Sequence, residues 1–165
     1  MTIPDELRDV AQRLHREIVQ HMSLYMFQAG APAPHWYGRM LSELVLLLDG
    51  EEIEYLTGIR NDTDVEIIVF TKRLLLRSTA TDLRGDDPTV VSTAWPRDSI
   101  TSATISAEES VFSNRAFADW PGRIAVTLET KGVGKITLPL ERPNGRDGDT
   151  ALHGLFRSVL EQLRA

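Results

Sequence analysis

The sequence predicts a mainly β protein with flanking helices: an N-terminal helical extension, seven strands and one C-terminal helix. Apolar residues recur every three or four positions in most of residues 1–49 and again over 150–163, which is the period of a helix. Between these segments the period falls to two, which is the period of a strand. With 165 residues and no cysteine, the chain is long enough to bury a core without disulfides.

Two amphipathic helices are predicted before residue 50. The first runs from Thr2 to about Gln28, with Thr2 and Asp5 as a capping pair. Its apolar stripe consists of Ile3, Leu7, Val10, Leu14, Ile18, Met22 and Tyr25. Prolines within residues 29–34 break this helix, and a second helix over Trp36–Leu48 stops at Asp49-Gly50. We therefore divide the chain into a helical extension, residues 1–49, and a β domain, residues 50–165.

Seven strands are predicted after the second helix, because short runs rich in β-branched residues alternate with turn residues. They are Glu52–Arg60, Val65–Thr71, Leu74–Ala80, Thr89–Trp95, Ser99–Ser106, Arg123–Lys131 and Gly134–Leu140. Turn residues at 61–64 and 131–134 predict hairpins, so we expect consecutive strands to pair antiparallel.

A final helix is predicted over Thr150–Leu163, where five apolar residues follow the helical period. These residues are Leu152, Leu155, Phe156, Val159 and Leu163. A stripe of this kind must cover apolar surface elsewhere in the protein.

The order of these elements resembles the small bacterial pleckstrin-homology-like (PH-like) and GRAM-type domains over residues 51–165. The resemblance rests on the Gly50-Glu51-Glu52 opening, on VEIIVFTKRLLL from Val65 to Leu76, on WPRDSITSATIS from Trp95 to Ser106, and on the terminal helix. It implies a bent, partly open barrel of seven strands that is closed at one end by the helix.

The charge pattern departs from that of PH domains that bind phosphoinositides. Such domains place lysine and arginine around the first hairpin, but residues 51–66 here hold six acids and Arg60 alone, a net charge of −5. We therefore expect no phosphoinositide binding. The whole chain carries a net charge of −6, which also argues against a nucleic-acid partner.

No pattern in the sequence predicts catalysis, a metal or a cofactor. The histidines, His15, His21, His35 and His153, fall in no dense ligand motif, so we interpret them as solvated or interface residues. Adjacent acids such as Glu51-Glu52 lack the opposed geometry that acid/base catalysis needs. We expect a protein that is not an enzyme and has no catalytic residues.

One concentration of positive charge is a candidate binding groove. Lys72, Arg73, Arg77 and Arg97 belong to a segment, residues 72–97, with five bases against three acids. These cations could receive an acidic peptide or a lipid headgroup. The alternative interpretation is that they are strand-edge charges that discourage edge pairing.

The first helix is a candidate assembly surface. Its stripe is longer than one small barrel needs, so Leu7, Val10, Leu14 and Ile18 are predicted to pair with a second copy in a homodimer. The alternative is that both helices pack on their own barrel and the protein is a monomer.

We therefore expect a non-enzymatic binding or assembly module that recognises a protein partner or itself. A small-ligand or lipid-binding barrel is the alternative. We expect a cytoplasmic location, because the N-terminus has no signal-like apolar run and no segment reaches the ~20 apolar residues of a membrane span. Fifteen of the 18 bases are arginine, which we interpret as the usage of a GC-rich bacterial genome.

Overall fold

A computed structural model describes residues 4–22, 32–112, 122–142 and 147–165. It is mainly β, with two antiparallel sheets and helices towards both ends of the chain. The backbone contacts divide the chain into two compact units, residues 1–97 and 98–165.

The first unit contains two helices and a four-stranded meander. The helices are α1, Asp5–His21, and α2, His35–Leu48. The strands are β1, Tyr55–Arg60; β2, Val65–Phe70; β3, Leu74–Thr81; and β4, Thr89–Pro96. They pair antiparallel in the order β1-β2-β3-β4, as their hairpin connections require.

The core of this unit lies between the two helices and one face of the sheet. Alternate residues of β2, Val65, Ile67 and Val69, join Leu76 of β3 in a cluster that also contains buried residues of both helices. The helical members are Leu14, Ile18, Trp36, Tyr37, Met40, Leu44, Val45 and Leu48, and Met22 joins them directly after α1. The helical period and the strand period thus supply one common apolar layer.

The helix α1 is shorter at both ends than predicted, whereas α2 ends where it was predicted to end. α1 begins after Pro4, which makes no side-chain cap bond, and the predicted cap residue Thr2 lies outside the described residues. The predicted continuation to Gln28 is wrong, because the helix ends at His21 and Met22 is extended. Residues 23–31 lie outside the described part of the chain. α2 ends as predicted, since Asp49 and Gly50 both take positive φ.

The second unit contains a three-stranded meander and one helix. Its strands are β5, Ile100–Ala107; β6, Ile124–Thr130; and β7, Gly134–Leu138, in the order β5-β6-β7. The helix α3, Asp147–Arg164, packs on β5 and β6. Of the predicted stripe, Leu152, Leu155 and Val159 are buried and Phe156 is half-buried, whereas Leu163 in the last turn is exposed.

All seven predicted strands and both predicted hairpins are present, with ends shifted by a few residues. The largest shift is at β1, which begins at Tyr55 instead of Glu52. The strands form two separate antiparallel sheets, and no ladder among the described residues closes them into one barrel. The predicted division at residues 49 and 50 stays a prediction about which segment folds by itself.

None of the helices described here combines the length and the apolar character that crossing a membrane requires.

Candidate functional site

A cleft of about 340 Å³ opens beside α1, within the first unit. We call it the α1 cleft. Its lining comes from the middle of α1 and from the chain that leaves α2, namely Val10, Arg13, Leu14, Glu17, Leu48, Gly50, Glu51, Glu52 and Ile53. Ligand sites in proteins commonly begin at about 300 Å³, so this cleft can hold a side chain or a small molecule.

The turn after α2 shapes one wall of the cleft. Asp49 has φ 46° and Gly50 has φ 80°, both in the left-handed region that ends a helix. The amide of Glu51 then donates a hydrogen bond of 2.9 Å to the carbonyl oxygen of Leu48. This tight turn brings residues 51–53 alongside α1, which they could not reach if the helix continued.

The floor of the cleft is apolar and the remaining lining is mostly acidic. Leu14 and Leu48 are buried, and Val10 and Ile53 are half-buried. The charged lining residues are Arg13, Glu17, Glu51 and Glu52, with a net charge of −2. Among the described residues, no ion pair joins Arg13, Glu17 or Glu52 to another side chain.

Glu51 is held in place by the turn between β2 and β3. The Thr71 hydroxyl donates a 2.5 Å hydrogen bond to Oε2 of Glu51, and Arg73 contacts Oε1 through Nε at 2.8 Å and Nη2 at 2.7 Å. The hydrogen bond from Thr71, followed by the bonds and charge of Arg73, lowers the pKa of Glu51. Glu51 therefore lines the cleft as a fixed residue whose ionised carboxylate is already bonded to Thr71 and Arg73.

The predicted basic groove is divided among three local environments. Arg73 is exposed at the β2–β3 turn and pairs with Glu51, and Arg77 lies along β3 and pairs with Glu66 at 2.7 Å. Arg97 is only 3% exposed and pairs with Glu54. Lys72 is exposed and makes no ion pair with a described side chain. Each arginine of the group is thus balanced by a carboxylate of the same unit.

The four residues predicted as an assembly interface pack inside their own chain. Leu14 is 1% exposed and Ile18 is 0% exposed, in the core with α2 and the first sheet. Leu7 and Val10 are half-buried against the same core. This arrangement matches the alternative in which α1 packs on its own chain, and assembly through α1 stays a prediction.

His15 contacts the side chain of Tyr37 in the first unit. Its Nδ1 lies 2.8 Å from the Tyr37 hydroxyl, and the two rings meet edge to face with centroids 5.7 Å apart. Within the described ranges, no three histidine or acidic residues stand close enough to hold a metal ion.

Sequence reasoning did not single out Arg13, Glu17 or the segment 51–53 as one site. The acids at 51 and 52 and the turn at Asp49-Gly50 were visible signals. Nothing in the spacing, however, predicts that α1, some 35 residues earlier, lies next to them.

Known proteins provide few parallels. No protein-family model matches this chain, and no curated protein matches it. A solved structure that resembles it is the 2.00 Å crystal structure of a DUF1696 family protein with a pleckstrin-homology domain from Shewanella loihica PV-4. The two share 14% sequence identity over 74% of this chain and 92% of that chain, with a TM-score of 0.40. A likeness this loose carries no argument about function, and what is shown is a mainly β chain of two antiparallel sheets with N- and C-terminal helices.

Proposed function

We propose that this chain is a non-enzymatic protein-binding module whose α1 cleft receives a lysine or arginine side chain of its partner. The observation that carries the proposal is the pairing of an apolar floor with an acidic lining. Lysine and arginine have apolar stems and charged heads, so one side chain can satisfy both parts of the cleft. Glu17 and Glu52 form no ion pair with a described side chain, and Arg13 of the lining can balance only one of them, so a partner would supply a further cation.

Preorganisation supports binding in this cleft. The carboxylate of Glu51 is held by Thr71 and Arg73 before any partner arrives. A side chain that is already fixed loses little conformational entropy on binding, so more of the interaction energy contributes to affinity.

The pKa shifts of two groups in this unit, Glu51 and Tyr37, favour a binding role over acid/base catalysis. A catalytic acid or base works best with a pKa near the operating pH. The pKa of Glu51 is lowered by its hydrogen bonds, and burial raises the pKa of Tyr37, so both move away from neutrality. These shifts are typical of groups whose charge state stays constant.

We also propose that the strands and the last helix form a PH-like architecture. Support comes from the order of elements, since a four-stranded meander is followed by a three-stranded meander and a C-terminal helix. A crystal structure of the full chain tests this proposal directly. Sheets that do not pack face to face would contradict it.

The cleft is tested by titrating the ¹⁵N-labelled full chain with an acetylated, amidated Leu-Lys-Leu peptide and following the amide resonances. We expect saturable shifts at residues 48–53 and at the α1 residues that line the cleft. Leu-Glu-Leu of the same length is the matched probe, and it should produce no saturable shift because its charge is reversed.

Variants assign the binding to the cleft. Glu17→Gln and Glu52→Gln should each weaken peptide binding at least threefold, whereas Glu161→Gln on α3 removes the same charge outside the cleft and should leave binding unchanged. Equal weakening by all three variants, or no saturable shift in the parent protein, would contradict the proposal. Free n-butylamine that binds as tightly as the peptide would favour the small-ligand alternative.

A further inference from the structure

Among the described residues, β5 is an edge strand that lacks three common protections, namely charge, proline and short length. The order β5-β6-β7 gives it one hydrogen-bonded neighbour. Its eight residues include no charge, proline or glycine, and six of them are exposed. An exposed, uncharged edge of this length is a template for pairing with a further strand.

The other edge strands of the two sheets are better protected. β7 has five residues, one of which is Lys135, and Pro139 follows it. β1 is mostly buried and ends at the charged Arg60. β4 also lacks charge, but it ends at Pro96. Short length, charge and proline all disfavour edge pairing, and β5 has none of them.

The ladder with β6 determines which backbone groups of β5 point outward. The amide of Glu108 donates to the carbonyl oxygen of Arg123 at 2.9 Å, and the register continues without a break from Ala107 to Ser102. Hydrogen-bonding residues alternate along an antiparallel strand. The even-numbered residues therefore bond to β6, and Ala103, Ile105 and Ala107 direct their N–H and C=O groups away from it.

We propose that two copies of this chain form a dimer by antiparallel pairing of β5 with β5 about a two-fold axis at Ile105. In this register Ile105 faces Ile105 of the second copy, and Ala103 faces Ala107 of the second copy. Thr104 faces Ser106 of the second copy on the opposite side of the sheet. The strand is therefore complementary to itself in both size and polarity, as an interface between identical surfaces requires.

Two further observations fix the centre at Ile105. A bulge between Ile100 and Ser102 interrupts the strand. Residues 103–107 are therefore the regular stretch whose odd-numbered residues direct their backbone groups away from β6, and Ile105 is its midpoint. Ile105 is also 42% exposed, although it pairs with the buried Val126 on the face that α3 covers. The second copy of Ile105 would extend this apolar face across the axis.

The area of such a contact sets the expected affinity. Two paired strands bury less than the roughly 1,200 Å² of a small stable interface, so the dimer belongs to the weak, reversible class. We expect a dissociation constant of roughly 1–100 µM, which sedimentation equilibrium measures directly. This dimer does not depend on the α1 cleft, which lies in the other unit.

Cross-linking tests the register, because the natural chain has no cysteine. Ile105→Cys places its two thiols on facing residues within the Cα separation that a disulfide spans, so oxidation should yield a reducible dimer. In this register Thr104 faces Ser106 of the second copy, so the two thiols of Thr104→Cys lie two strand positions apart. This variant should form the disulfide at least tenfold more slowly. Faster linking of Thr104→Cys than of Ile105→Cys would overturn the proposed register.

A charge substitution tests whether β5 drives the dimer. Ile105→Lys brings two lysines together at the axis and should raise the dissociation constant at least tenfold. Val91→Lys is the matched control, since Val91 is 54% exposed on the edge strand β4, and it should leave dimerisation unchanged. Circular dichroism checks that both variants stay folded. A parent protein that is monomeric up to roughly 1 mM, or equal loss in both variants, would overturn the proposal.

Discussion

The hydroxyl of Thr71 donates a 2.5 Å hydrogen bond to Oε2 of Glu51, twenty positions earlier in the chain. The same hydroxyl oxygen accepts hydrogen bonds from the amides of Arg73 at 3.2 Å and Leu74 at 2.9 Å. The Thr71 carbonyl oxygen accepts a further bond of 2.6 Å from Nη1 of Arg97. This one threonine thus joins the entry to β1, the β2–β3 turn and the end of β4.

Thr71→Val should raise the pKa of Glu51 towards its ordinary value, because the largest contribution to the lowered pKa is lost. We expect a destabilisation of about 1.5–3 kcal/mol, as for other hydrogen bonds to charged groups. Thr71→Ser keeps the hydroxyl and is the matched control. Carboxyl carbon chemical shifts followed through a pH titration measure the pKa, and an unchanged value in Thr71→Val would contradict the assigned cause.

Glu51 should make the stability of the fold depend on pH under acidic conditions. The pKa of Glu51 is lower in the folded than in the unfolded state. Its contribution to the free energy of unfolding is therefore complete above the unfolded pKa of ~4.3 and is lost as the pH falls through the folded pKa. The stability difference between the parent protein and Glu51→Gln should therefore shrink below about pH 4.3. Urea unfolding at several pH values measures it, and a difference that grows towards acid would contradict the sign.

Arg97→Ala should destabilise the first unit by about 3–5 kcal/mol, because it leaves the Glu54 carboxylate and the Thr71 carbonyl oxygen without this donor. Replacing both charges, as Arg97→Met with Glu54→Leu, should cost less than Arg97→Ala alone, since no uncompensated charge remains. The midpoint of urea unfolding compares the variants. If the double variant is less stable than Arg97→Ala, the ion pair itself contributes more to stability than the cost of leaving one charge unpaired.

Gly58→Val should destabilise the contact between α1 and β1. A Cβ atom on Gly58 would overlap Sδ of Met22, which packs over the strand at that point. Overpacking of this kind costs about 1–3 kcal/mol. Adding Met22→Ala to Gly58→Val should recover part of that loss by making room, whereas Met22→Ala alone creates a cavity. Purely additive effects in thermal unfolding would contradict direct contact between the two positions.

The full chain should not bind liposomes that contain phosphatidylinositol bisphosphate at physiological salt. The segment 51–66 carries a net charge of −5, and Arg73, Arg77 and Arg97 are each paired with a carboxylate. The acids repel the headgroup within a Debye length of about 8 Å. Co-sedimentation with and without the phosphoinositide measures the effect, and submicromolar, headgroup-selective binding would contradict the expectation.

The sequence by itself determined the kind and order of the elements. The period of three to four residues predicted α1, α2 and α3, and the period of two predicted all seven strands, because each period reflects the geometry of the local backbone. The end of α2 was equally local, since the Asp49-Gly50 pair takes the left-handed geometry that stops a helix. The hairpins followed from turn residues for the same reason.

Only the tertiary structure decided how distant residues meet. The sequence predicts Arg97 to be a surface cation, yet it is buried because Glu54, 43 positions earlier, lies beside it. Met22 lies over Gly58, and Glu17 and Glu52 line one cleft, because α1 packs back on a sheet that the chain forms later. Periodicity reports which face of an element is buried but not which element covers it, and that choice depends on how all the apolar faces pack together.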